Sequence, residues 1–369
     1  MGALSVAGAA LAVGGLTVVR NSTLGRYEHA AAPADPGYQA YVVATPTMAV
    51  IHKGSGGDLA GISLLALGSG DSGGAVIVVP PSTIVPDASN RTTLADVYRS
   101  GGAAEVTTAL GKVTTVAVDE HVEVDDAQWG RLVAPVQPVT VTLAEPIGEW
   151  PAGDVALDAA SVGRFLAFQD AAETELDRVD RQQQFWAAWL ARVVTGGRDS
   201  LPGEVGTGIG RFVRGIAAGQ AATDVLPVAR DDLGGDDADV RFRTDGERVA
   251  DLVAADVPYP RSPGPGVRIR VRLLNGTGDQ SLTPRAARAL VADGAEIAVA
   301  GNASSFDVSE TTIAYSGAEH EGLAVWLQAK LGGGRIQQVE DGQDAASSSG
   351  DEIDVTVILG DDAGDLIRR

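Results

Sequence analysis

The chain has 369 residues, with 28 Lys and Arg against 49 Asp and Glu, for a formal net charge of -21. That balance excludes a general nucleic-acid binder, whose phosphate ligand demands a positive surface, while a small local anion site stays open. Without cysteine there are no disulfides, thiol nucleophiles, thiolate metal sites or iron–sulfur clusters, and the length suffices for two domains that each bury a core.

Gly2 to Val19 runs without a charged side chain and is closed by Arg20 and Arg26. As a helix it spans ~27 Å, just enough for a bilayer core. It predicts a transmembrane or signal-anchor segment over residues 1–20, hence a single-pass cell-membrane protein. The rest of the chain has no comparable apolar run and would lie outside the cytoplasm. Residues 21–37 read as a linker.

Residues 38–257 read as a first domain of mixed strands and helices. Ala40 to Thr45, Thr47 to His52, Ile62 to Leu67, Ala75 to Val79, Val113 to Val118 and Val139 to Leu143 have strand composition. The Gly-rich stretch 68–74 lacks the Lys and Ser/Thr of a nucleotide loop and reads as a hairpin turn. Helices are expected over Thr92–Tyr98, Gly102–Leu110, Asp125–Val133, Leu157–Phe168, Arg178–Val194 and around Ile209–Ala217.

Pro258 to Gly266 is a stiff linker. Beyond it, residues 267–362 alternate strand, helix, strand, strand, helix, strand, which predicts a small α+β domain with a split β-α-β-β-α-β sheet. The overall expectation is an α/β chain in which a three-layer mixed-sheet domain precedes this smaller one. In the strand starting at Val267, Arg268, Arg270 and Arg272 alternate with Ile269, Val271 and Leu273, which suits either pairing with acidic neighbours or a small basic docking strip.

The densest chemistry is Asp177-Arg178-Val179-Asp180-Arg181-Gln182-Gln183-Gln184 at the start of a helix. Arg178 and Arg181 share a helical face, and Gln182 follows Arg178 by one turn. Two guanidiniums side by side can grip a phosphate. They equally suit a solvated helix end paired to Asp177 and Asp180. This Arg-x-x-Arg-Gln-Gln stretch resembles a motif of the LytR-CpsA-Psr (LCP) family. Leu273-Leu-Asn-Gly-Thr-Gly, Thr311 with Tyr315, and Val357-Ile-Leu-Gly-Asp look like the LytR_C domain that often follows it. With a short N-terminal anchor, this is the arrangement of actinobacterial envelope proteins.

The resemblance implies binding of a polyprenyl pyrophosphate lipid or a wall polysaccharide. Arg178, Arg181, Gln182 and, one turn from the expected position, Arg164 would hold phosphate; Arg91 is a remoter candidate. Active members transfer glycopolymer from the lipid to peptidoglycan with magnesium. Here the family's Asp-Ser-Arg and Arg-Ser-Asp-Thr are missing, and its Ile-Pro-Arg-Asp reads Val79-Pro80-Pro81-Ser82. No catalytic residue, metal ligand or cofactor is therefore assigned. The expectation is a non-catalytic, envelope-anchored LCP relative that binds glycopolymer or a wall-assembly partner. An active phosphotransferase and a purely structural or protein-interaction module are the alternatives.

Other residues carry weaker signals. Asp119, Glu120, His121 and Glu123 read as a solvated strand end, and His29, His52 and His320 as isolated. The aspartates at 231–239 read as a solvating loop. Asp361, Asp362 and Asp365 read as a charged tail. Trp186 and Trp189 read as core, and Trp150 as the best exposed platform for a sugar.

Overall fold

The computed structural model describes residues 32–86, 88, 91–171, 173–196, 206–231, 240–339 and 353–366. Its strands are β1 (Gln39–Tyr41), β2 (Thr47–Lys53), β3 (Leu59–Leu67), β4 (Gly74–Val79), β5 (Glu120–Val124), β6 (Val139–Leu143), β7 (Gly153–Leu157), β8 (Ala221–Val225), β9 (Val228–Arg230), β10 (Phe242–Thr244), β11 (Ile269–Asn275), β12 (Ala295–Asn302), β13 (Thr312–Tyr315), β14 (Arg335–Gln338) and β15 (Val355–Leu359). The helices are α1 (Leu94–Thr114), α2 (Asp126–Val133), α3 (Val162–Ala167), α4 (Glu175–Gly196), α5 (Gly208–Ala218), α6 (Gly246–Asp256), α7 (Leu282–Ala292), α8 (Glu321–Leu331) and α9 (Ala363–Leu366).

In the first domain, strands rich in Val, Ile and Leu on both faces must be covered on both faces. They form a five-stranded sheet in the order β5-β2-β3-β4-β8. Its middle strands β2, β3 and β4 are antiparallel, and β5 and β8 join the edges in parallel. Alternation sends Val76 and Val78 to one side, where Trp129, Phe165, Phe185, Trp186, Trp189 and Phe212 pack. Ile77 and Val79 face the other side, against Leu94, Val106, Leu110, Val249 and Val253 of α1 and α6. The result is a sheet between two helical layers. The glycine-rich stretch after Leu67 is indeed the connection of the antiparallel pair β3 and β4.

Two local expectations give way to packing. Val113 lies in α1, where it continues the buried stripe of Val106 and Leu110; Thr115 ends the helix in the left-handed region and the strand waits until Glu120. Core packing here overrides the β preference of Val113 and Val116. Leu157 closes β7, and the helix starts only at Val162 after a turn in which Ser161 donates to Asp158.

The second domain holds more than a split four-stranded sheet. Its mixed sheet runs β1-β12-β11-β15-β13-β14. β14 is an additional strand after α8, and β1 is contributed from the N-terminal side, antiparallel to β12. Strand β11 is interior, between β12 and β15. The basic docking strip is corrected accordingly: Arg268 is 3% and Arg272 7% exposed, and Arg270 pairs with Glu296. Arg268 donates to Thr115 O at 2.7 Å, Thr115 Oγ1 at 3.0 Å and Ala295 O at 3.0 Å, tying the two domains together. An Arg261–Asp119 ion pair and a bond from Thr45 N–H to Tyr259 O join the same seam.

The transmembrane helix and the single-pass membrane location are also corrected. Among the described residues no helix is long and apolar enough to cross a membrane. Gly2–Val19, on which that expectation rested, lies outside the described residues, as do His29 and most of the aspartate-rich stretch 231–239.

Candidate functional site

Helix α4 places the arginine motif. Thr174 and Asp177 form reciprocal bonds at its start: Thr174 N–H and Oγ1–H donate to Asp177 Oδ2, and Asp177 N–H donates to Thr174 Oγ1. That satisfies first-turn amides and fixes the helix register. In this register Arg178, Arg181, Gln182, Phe185, Trp186 and Trp189 form one buried stripe. The arginines thus belong to the buried face, and neither Asp177 nor Asp180 pairs with them.

Arg181, 3% exposed, is held by an ion pair with Glu173 and donates to Phe168 O. Gln182 Nε2–H donates to Ala60 O at 3.1 Å and Leu166 O at 2.8 Å. A Cβ at Gly61 would lie 2.8 Å from that nitrogen, so the residue opposite Gln182 has to be glycine for the amide to reach the sheet. Trp186 Nε1–H donates to Ser63 Oγ at 2.8 Å, one pleat further along β3. Gln182 and Trp186 therefore tie α4 to the sheet.

Arg178 differs from its neighbours. It is 7% exposed, and its side chain has no hydrogen bond or ion pair among the described residues. Burial depresses its pKa, while Glu175, Asp58 and Glu173 support its charge from a distance. Its field also works against protonation of His52. His52 is 3% exposed and its Nε2 lies 3.0 Å from Asp126 Oδ1, with its ring edge-on to Trp129. Burial, outweighing Asp126, lowers the His52 pKa and keeps the imidazole neutral, so Nε2–H donates to the carboxylate. His52 reads as isolated in the sequence because 74 residues separate it from Asp126.

Beside the first turn of α4 opens a cleft of about 540 Å³ lined by Ser82, Gln169, Glu173, Glu175, Arg230 and Phe242, among others. Glu175 spans its wall by accepting from Ser82 N–H at 2.8 Å and Ser82 Oγ–H at 2.5 Å. Around His52 there is little space: the cavity lined by His52, Ser63, Trp129, Gln182 and Trp186 measures about 10 Å³. Trp129, Phe185, Trp186 and Trp189 fill that interior edge-to-face and stacked.

The other candidates lie elsewhere. Arg164 is 58% exposed at its side chain and pairs with Glu149 at 3.0 Å. Arg91 is bound to Asp231. Trp150 is only 8% exposed and packs on Phe165 and Phe168, so it offers no platform for a sugar. Glu123 accepts from Tyr98 Oη–H at 2.9 Å, and Asp119 serves Thr47 and Arg261. Among the described residues no group of three or more His, Asp or Glu side chains could hold a metal ion. Of the carboxylates around Arg178 and His52, Glu173 is committed to Arg181, Glu175 to Ser82 and Asp126 to His52, while the exposed Asp58 has no such bond among the described residues. That single carboxylate is not the set of aspartates that the magnesium of the LCP resemblance requires.

Residues 268–362 match the family described as LytR_C, LytR cell envelope-related transcriptional attenuator. The second domain is a LytR_C domain. It is built from β11 to β15, and β1 extends its sheet from outside the matched residues. No curated protein matches the chain significantly. Solved structures similar to it include B. subtilis TagT, at 13% identity over 58% of this chain and 91% of that one, with a TM-score of 0.46. B. subtilis TagV is similar at 15% identity over 59% and 100%, also at 0.46. A third is the LytR-CPS2A-psr family protein YwtF (TagT) with bound octaprenyl pyrophosphate lipid, at 13% over 58% and 91%, at 0.45. These are distant likenesses.

Proposed function

We propose that the chain is an LCP-type envelope protein whose first domain binds the pyrophosphate of a lipid-linked glycopolymer at the head of α4. One observation carries this reading: Arg178 is a buried guanidinium with no hydrogen-bonding partner among the described residues, one helical turn past Thr174 and Glu175, which line an open cleft. A buried cation without hydrogen bonds is costly, and an anion that supplies them recovers much of that cost. Arg181 and Gln182 are already satisfied, so their part is to hold α4 in place rather than to grip phosphate first. Among the described residues the aromatic cluster of Trp129, Phe185, Trp186 and Trp189 fills the interior around His52, which favours a lipid held on the cleft side.

The test is calorimetric titration of the full chain with a short polyprenyl pyrophosphate, with and without magnesium. Wild type should bind saturably. Arg178→Met, which keeps the packing volume, should weaken binding by at least about tenfold, the effect of losing one charge-assisted contact. Equal binding by both proteins would remove Arg178 from the site, and no binding by wild type would leave the domain as a scaffold.

Glycopolymer transfer is the second reading, favoured by the neutral His52 imidazole held by the Asp126 carboxylate within the field of Arg178. A neutral imidazole held by a carboxylate is the kind of group that accepts a proton from an attacking hydroxyl. Under this reading His52→Gln retains lipid binding and loses transfer to peptidoglycan. Transfer surviving in that variant would assign the pair to structure alone.

A further inference from the structure

A second cleft, of about 500 Å³, lies on the far side of the domain seam, where the last helix of the first domain meets the first helix of the LytR_C domain. Its lining is built from α6 residues Asp251, Ala254 and Ala255 and from α7 residues Pro284, Arg285, Arg288, Ala289 and Ala292. Alanines and a proline keep the walls low and apolar. Clefts between domains that combine apolar walls with a few convergent charges are a favoured setting for small ligands.

The charges here are arranged by sign. Arg285 and Arg288 are three residues apart on α7, on the same face and in its first two turns, where the helix dipole adds positive potential. Neither side chain has an ion pair or hydrogen bond among the described residues, although the chain carries 49 acidic residues. Asp279 feels the charge of Arg285, but its carboxylate is taken by Ser281 N–H at 2.9 Å. The opposite wall contributes one carboxylate, Asp251, which is likewise without an ion pair. Two guanidiniums on one wall and a carboxylate on the other, across an alanine floor, complement a ligand that is negative at one end, positive at the other and small in between.

We propose that this cleft binds a short peptide with small side chains, its terminal carboxylate on Arg285 and Arg288 and its amino group towards Asp251. Arginine forks match carboxylate geometry bidentately, which is why they fit the negative end. A bound peptide would touch both domains, so binding would also stiffen the seam between α6 and α7. The inference stands on this cleft alone and is independent of the reading of Arg178.

The test is calorimetric titration of the full chain with L-alanyl-L-alanine, its C-terminal amide, its N-acetyl form and inorganic phosphate. Wild type should bind the free dipeptide saturably, with the amide and the acetyl form each weaker by about tenfold or more. Arg285→Ala/Arg288→Ala should lose binding, Arg285→Lys/Arg288→Lys should recover part of it, and Asp251→Asn should no longer distinguish the free from the acetylated peptide. All of these side chains are exposed, so the variants keep the fold. Amide bound as well as acid, phosphate bound as tightly as dipeptide, unchanged binding by the double alanine variant, or no saturable binding by wild type would each overturn the proposal.

Discussion

Arg181 and Arg164 look equivalent in the sequence, since each is a helical arginine and a candidate for holding phosphate. Their surroundings separate them. Arg181 and Glu173 are 3% and 11% exposed at their side chains, whereas Arg164 and Glu149 are 58% and 57% exposed. Removing one member of a buried pair strands the other charge, while an exposed pair is screened by water. Glu173→Ala should therefore lower unfolding free energy by about 3–5 kcal/mol, and Arg164→Ala should change it by less than about 0.5 kcal/mol. Urea unfolding of the two variants decides this, and similar midpoints would show that the Arg181 pair is not buried in solution. The contrast was not legible in the sequence. Periodicity put Arg178 and Arg181 on one face, but only the tertiary fold brings Glu173 and Phe168 O to Arg181 while leaving Arg178 without a hydrogen bond.

At the scale of elements, the patterns that repeat over many residues were the readable ones. Runs of strand composition marked β2, β3, β4 and β15, alternating runs marked β6 and β11, and the Phe185, Trp186, Trp189 stripe marked α4. Strand β1 and strand β14 are short, three and four residues, and their pairing partners lie far away or across a helix, so their local composition says little. Trp150 was misplaced because a single aromatic in a turn carries no periodicity; Phe165 and Phe168 bury it. Helix α6 carries a pH effect of the same hidden kind. Burial, with Asp224 beside it on β8, raises the pKa of Asp256 from 3.8 to about 7. The folded form then holds a proton that the unfolded form has released, so stability falls as pH rises from about 4 to about 7. Melting temperatures should drop across that window, and Asp256→Asn should flatten the dependence and raise the melting temperature at pH 8. An unchanged slope in the variant would place the titration elsewhere.

Across the whole molecule, the linker 258–266 reads as a boundary in the sequence, yet the chain crosses it several times. Strand β1 from before the first sheet joins the LytR_C sheet, and Arg268 reaches back to Thr115 at the end of α1. Burial pushes the Arg268 guanidinium down to about 10, which shows how fully it is enclosed. Domains joined this way should unfold together. Arg268→Met should separate one calorimetric transition into two, and a single sharp transition in the variant would mean that β1 and the Arg261–Asp119 pair suffice.

The head of α4 is the proposed ligand site, and hydrogen–deuterium exchange of the full chain with and without a short polyprenyl pyrophosphate tests it most directly. The predicted result is slower exchange confined to the start of α4, the loop from Phe168 to Thr174 and the segment around Ser82, and absent in Arg178→Met. Protection that avoids these segments, or that persists unchanged in the variant, would contradict it.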